Sequence, residues 1–192
     1  MPAPEQALIV FNGTNRGFLF GEFRDANGTR CSIQESSLAT AGAVWLGPND
    51  SADAGLYSPN RMHLVADELN QLIGPLERFA TFGQFPTEPI TFRDYCGVPC
   101  CLSAANDQQI LLGVVLPKQA DGSPRVQHDS NLYGARGEEV RQATEFLFED
   151  LRNGATGMIE VDNRMLLDRR LAKALIAPFR RMIADGEERS IK

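Results

Sequence analysis

Apolar positions recur with a helical period in two stretches of the chain. In residues 60–83, "NRMHLVADELNQLIGPLERFATFG", the side chains of Leu69, Leu72, Ile73, Leu76 and Phe79 fall on one helical face. In residues 163–186, "NRMLLDRRLAKALIAPFRRMIADG", Leu175, Ile176, Phe179 and Met182 do the same. Each stretch predicts an amphipathic helix turned towards a core. Aligned without a gap, the two share nine identities. Pro75 and Pro178 stand at equivalent places inside them, where a proline removes a hydrogen bond and should kink the helix. Asp168 is placed to N-cap the second helix, whereas the first has Val65 at that position.

The segments upstream repeat as well. "FRDANGTRC" (23–31) and "FRDYCGVPC" (92–100) carry Phe, Arg, Asp, Gly and Cys at identical offsets, and each is followed by a short apolar run ending in Leu-Gly, "AVWLG" (43–47) and "QILLG" (109–113). Such runs read as central strands. Asn27-Gly28 predicts a two-residue type I′ hairpin turn, with Cys96-Gly97 a weaker signal at the matching place. Each unit therefore reads as strand, turn, strand, strand, helix. Hairpin signals disfavour a purely parallel sheet, so the expected class is α+β: two tandem related units, each a small antiparallel-type sheet with a packed amphipathic helix, sharing one core. The first unit spans 1–83, a proline-containing linker 84–91, and the second 92–192. The second is longer. "GEEVRQATEFLFEDLRNG" predicts an inserted helix over about 137–154, after a polar loop at 117–131.

Composition narrows the function. With 192 residues and 43% hydrophobic content the chain can bury a core. A net charge of -6 and a pI near 5.0 argue against binding a nucleic-acid polymer or an anionic membrane, because no surplus of basic groups exists to neutralise phosphates. No apolar run approaches the roughly 18 residues that span a bilayer. The start, "MPAPEQALIVFNG", has no basic region before its apolar run, so a cytoplasmic location is expected. Cys31, Cys96, Cys100 and Cys101, with His63 and His128, do not fall into zinc-site spacing, and read as small buried thiols; no metal or cofactor is expected.

No P-loop, G-x-G-x-x-G, nucleophile elbow or H-E-x-x-H is present, and no residue is assigned a catalytic role. Asp25 and Asp94, beside the two turns, are expected to accept bonds from nearby backbone amides. Two readings are open for Arg61-Met62 and its twin Arg164-Met165. Just ahead of a helix, a five-donor guanidinium, a thioether and free backbone amides suit a phosphorylated purine compound; the alternative is a salt-bridged arginine and a core methionine. Gln34, Ser36 and Ser37 offer hydrogen-bonding groups at a strand end or simply form a turn, and Trp45 reads as core.

The pattern FxDxxGxxCSIQxSS, WLG and RMHL, covering roughly 21–83, resembles a family of small bacteriophage proteins that includes the Thoeris anti-defence sponges of the first type. Through the internal repeat the likeness extends weakly over 92–186. The resemblance implies small α+β proteins that bind cyclic ADP-ribose isomers or cyclic oligonucleotides without cleaving them, and that assemble as dimers and hexamers with pockets at subunit interfaces. It implies ligand binding by Arg61 and Met62, and by Arg164 and Met165 where "RMLL" departs from "RMHL", with Asn60, Gln34, Ser36 and Ser37 as further contacts. The second unit reads "CLSAAN" where the first has "CSIQES". The expected function is thus a phage counter-defence sponge, a homo-oligomer in the host cytoplasm whose partner is a small cyclic nucleotide. Fusing two units would make their pairing intramolecular. The alternatives are a cyclic-nucleotide-degrading enzyme and a structural or protein-interaction phage protein.

Overall fold

The computed structural model describes residues 7–15, 18–35, 44–48, 61–95, 97–114 and 164–190. The expected inserted helix at about 137–154, the polar loop at 117–131, Asn60, Ser36 and Ser37 lie outside the described residues.

Two antiparallel sheets and two helices make up the α+β architecture. The first sheet has the order β1 (Val10–Asn15), β2 (Phe18–Arg24), β3 (Arg30–Glu35), β4 (Val44–Pro48), β5 (Met62–Leu64), and is followed by helix α1 (Ala66–Phe82). The second has the order β6 (Ile90–Arg93), β7 (Pro99–Asn106), β8 (Gln109–Val114), β9 (Arg164–Leu167), and is followed by helix α2 (Arg169–Ser190). Ile90 and Thr91, expected in the linker, open β6. β5 and β9 are strands where the sequence reading places only the approach to a helix.

Pairing in the two sheets follows one register. Cys31 lies opposite Pro48, Ile33 opposite Leu46 and Gln34 opposite Trp45; the residues at matching offsets, Cys100 and Val114, Leu102 and Leu112, Ser103 and Leu111, pair the same way. At the inner edge, Trp45 faces His63 and Leu46 faces Met62, as Leu111 faces Leu166 and Leu112 faces Met165.

One side of each sheet is apolar and carries a helix. Met62, Leu64, Leu46 and Ile33, with Met165, Leu167, Leu112 and Leu102, join Leu69, Leu72, Leu76 and Phe79 of α1 and Leu175, Ile176, Phe179 and Met182 of α2 in one buried cluster. The helices pack on each other. Both run through their proline. Asp168 caps α2, its Oδ1 accepting from the Leu171 amide at 2.9 Å. Val65 has no capping oxygen, and Glu68 instead reaches back to the Val65 amide at 2.9 Å. At the far end of α1, Gly83 adopts φ 67° and donates to the Phe79 carbonyl, while Arg169 donates to the Ala80 and Thr81 carbonyls at 3.1 and 2.7 Å.

The hairpin turns tie the halves together. Asp25 donates its amide to the Thr29 carbonyl, and the Gly28 amide donates to the Asp25 carbonyl, so Ala26, Asn27 and Gly28 form a three-residue loop with Gly28 at φ 84°. That is one residue longer than the expected type I′ turn, because glycine takes the left-handed position after a tight turn. Asp25 Oδ1 accepts from the Asn27 and Thr29 amides, as expected of a turn aspartate, but Oδ2 accepts from the Leu166 amide of β9 at 3.1 Å. The Ala26 amide donates to the Leu166 carbonyl at 2.7 Å. The second turn reciprocates: Asp94 Oδ1 accepts from the Val98 amide, Oδ2 accepts from the His63 amide of β5 at 3.0 Å, and the Tyr95 amide donates to the His63 carbonyl at 2.8 Å.

β1 has no counterpart beside β6 among the described residues. It pairs with β2 at Gly21, opposite Phe11, where a Cβ would lie 2.9 Å from the Phe11 ring and 3.2 Å from Ile33; the residue at the matching place in the second sheet is Ile90, opposite Leu102.

Asp94→Ala strips acceptors from the His63 and Val98 amides and should lower unfolding free energy by about 2–4 kcal/mol, with Asp94→Asn losing less, as read from urea midpoints. Gly21→Val should displace Phe11 at about 1–3 kcal/mol. Amide exchange would then show lost protection in β1 while β6 to β9 stay protected.

Candidate functional site

Side chains alternate along a strand, so the registers place residues on faces without ambiguity. Met62 and Leu64 point to the helix side. Arg61 and His63 point to the other, together with Trp45 of β4, Gln34 and Ser32 of β3 and Glu22 of β2. In the second sheet the same face carries Arg164, Leu166, Leu111, Ser103, Cys101 and Thr91.

This face is polar yet buried around Arg61. Arg61 is 3% exposed, and Ser32, Gln34 and His63 are buried with it. Among the described residues, the Arg61 Nε and Nη1 donors and the Ser32 hydroxyl have no hydrogen-bond partner. Burial lowers the Arg61 pKa from the ordinary arginine value, while the nearby Glu22 carboxylate opposes the shift; Glu22 also forms an ion pair with Arg30. An arginine remains charged under either influence. The result is a buried cation with donors to spare. Beside it, the Trp45 and His63 rings stack at 4.1 Å and 6°, since a pair facing each other without mutual backbone bonds brings its side chains closest. Tyr95 of the opposite turn meets the His63 ring edge-on at 5.2 Å and 74°.

Around Arg164 the same positions hold smaller groups. Nη1 donates to Ser103 Oγ at 2.9 Å, and Nε has no partner among the described residues. Burial lowers the Arg164 pKa, opposed by the neighbouring Cys101; the Cys101 thiol is itself raised by burial, opposed by Arg164 and Ser103. Cys100, on the core side, is held well above the ordinary thiol range by burial and by Asp94. Where the first half has Tyr95, His63 and Trp45, the second has Ala26, Leu166 and Leu111. A pocket of about 490 Å³ lies there, walled by Asp25, Asn27 and Thr29 on the turn side. Leu111, Leu166, Ala105 and Arg164 form its sheet side.

The structure thus separates the arginine from the methionine in each predicted pair. Met62 and Met165 are 0% exposed in the core, so they do not share a surface with Arg61 and Arg164. The amides expected to be free near the helix starts are occupied: those of His63 and Leu166 by the turn aspartates, that of Val65 by Glu68 and that of Leu171 by Asp168. Gln34 does share the face of Arg61. Sequence reasoning missed Ser32, His63, Cys101 and Ser103 as neighbours of the arginines. Counting by twos from Arg61 and across the Leu-Gly strand would have found them, once "RMHL" was taken as a strand. Asn27 and Thr29 carried no signal, since their proximity to Arg164 arises from the docking of the two halves. Among the described residues there is no cluster of three metal-ligating side chains, and no helix is long and apolar enough to cross a membrane.

Arg61 is a buried cation with two donors unpaired among the described residues, and such a group adds little to the stability of the fold. Arg61→Met, of similar volume, should leave stability unchanged or raise it by about 1–4 kcal/mol. Chemical denaturation of the two proteins checks this; a clear loss would make Arg61 a structural residue. Compared with protein-family models, curated proteins and solved structures, the chain matches none.

Proposed function

We propose that this protein sequesters a small phosphorylated ligand, a cyclic nucleotide signal, with Arg61 and Arg164 as its anion contacts, and that the chain is a tandem pair of one unit acting as a built-in dimer. The observation that carries the reading is the pair of arginines at matching places on the two sheets, each with an Nε that has no acceptor among the described residues. Burying a guanidinium with donors left unpaired is unfavourable, and two oxygens of a phosphate can accept from it side by side. The arginines are surrounded by rings, aliphatic walls and hydrogen-bonding side chains, with the Glu22 carboxylate near Arg61 and the Cys101 thiol near Arg164, a setting in which a ligand can be held in place. The resemblance of the "CSIQES", "WLG" and "RMHL" segments to the sponge family supplies the cyclic nucleotide as the ligand class. Support for the tandem reading comes from the common register and from the reciprocal bonds of Asp25 and Asp94. Higher assembly of such pairs follows the same resemblance.

Incubation of the protein with cyclic ADP-ribose, removal of free ligand and release by heat should return the ligand intact. Recovery of a linear or hydrolysed product would turn the reading to an enzyme. The Arg61→Met/Arg164→Met double variant should retain at least about tenfold less ligand, given roughly 1.5–3 kcal/mol for a hydrogen bond to a charged group. Equal retention by the double variant would remove the arginines from the site. Native mass spectrometry of the same sample gives the assembly state.

A further inference from the structure

The pocket beside Arg164 is built by both halves of the chain, and its lining combines three kinds of group. One is the Arg164 guanidinium, whose Nε has no partner among the described residues. Leu111 and Leu166 supply aliphatic surface, and Asn27 and Thr29 of the first turn are polar. Asp25 also lines the pocket, but its carboxylate already accepts from three amides, those of Asn27, Thr29 and Leu166. Arg164 is therefore the group left to meet an anion. A volume of about 490 Å³ falls in the range of roughly 300–1,000 Å³ typical of small-molecule sites.

The corresponding surface in the first half is occupied by the protein's own rings. Trp45 and His63 are in stacking contact at 4.1 Å, and Tyr95 closes on His63 from the other half. A ligand base cannot enter between rings already at that separation. The motif match favours Arg61, but the space for a bulky ligand accompanies Arg164.

We infer that the composite pocket at Arg164 is the nucleotide-selective site, with phosphate on Arg164, the base or ribose face against Leu111 and Leu166, and the polar edge of the ligand read by Asn27 and Thr29. This rests on the ligand-binding reading above and assigns its selectivity to a turn of the opposite half. A ligand seated there touches both halves beside the Asp25 bond. Because it binds only the docked arrangement, it also strengthens docking, by RT ln(1 + [L]/Kd).

Calorimetric titration of the full chain with cyclic ADP-ribose, adenosine monophosphate and inorganic phosphate tests the assignment. Ala105, an exposed residue of the pocket lining, can be replaced by tryptophan to fill the pocket without substituting a core residue. Ala105→Trp and Arg164→Met should each weaken nucleotide binding by about tenfold or more, a change of roughly 1.4 kcal/mol. The Asn27→Ala/Thr29→Val pair should reduce the preference for nucleotide over phosphate, and it guards against a folding defect in the tryptophan variant. Should the nucleotide bind all three variants with wild-type affinity and selectivity while Arg61→Met abolishes binding, the pocket assignment falls and the sequestration reading stands. If the wild-type protein binds none of the probes, both fall.

Discussion

The fold depends on two carboxylates that each serve two halves of the chain. Asp25 and Asp94 organise their own hairpin with one oxygen and hold the edge strand of the other sheet with the second. An edge strand exposes unpaired amides and carbonyls, and a short one such as β5 would otherwise end the sheet badly. The turn of the opposite half supplies what a neighbouring strand would have given: an acceptor for the amide and, from Ala26 or Tyr95, a donor for the carbonyl. Each sheet is completed by the other's loop. The common hydrophobic cluster and the contact of α1 with α2 follow from that docking.

The same docking makes the polar face a joint product. Arg61 and Arg164 are placed by strands that the aspartates fix, two residues before the backbone groups they hold. What surrounds each arginine is then decided by the residue that arrives from the opposite turn. A tyrosine completes an aromatic stack at one site; an alanine leaves a pocket at the other. Matching backbones therefore give unlike chemical surfaces, and the difference rests on three positions in each half.

Much of this was legible in the chain. The helical stripes from Leu69 to Phe79 and from Leu175 to Met182 are buried as read, except that Ile73 is half-buried, because helical periodicity over several turns leaves little freedom. The Asp168 cap and the turn role of Asp25 were also local matters. The short strands β5 and β9 were not legible, because a three- or four-residue run gives too few alternations to distinguish a strand from the first turn of a helix. That one assignment decided the site: read as a helix approach, "RM" places both side chains near one ligand; read as a strand, it sends them to opposite faces. The second function of Asp25, on an amide far along the chain, leaves no mark in local sequence at all.

The two aspartate bonds differ in what they require of a growing chain. The Asp94 bond to His63 spans 31 residues, whereas the Asp25 bond to Leu166 spans 141. Loop-closure entropy grows with the logarithm of length, so the longer closure is disfavoured by only about 1.3 kcal/mol more. Order of synthesis separates them more strongly. The shorter bond can form once the second turn has emerged, but the longer waits for β9, well downstream of that turn. Until then the turn that will hold β9 has no strand to hold, and the pocket at Arg164 does not exist. Reciprocal contacts that look equivalent in the finished fold are thus acquired in sequence, and the last of them completes the proposed site.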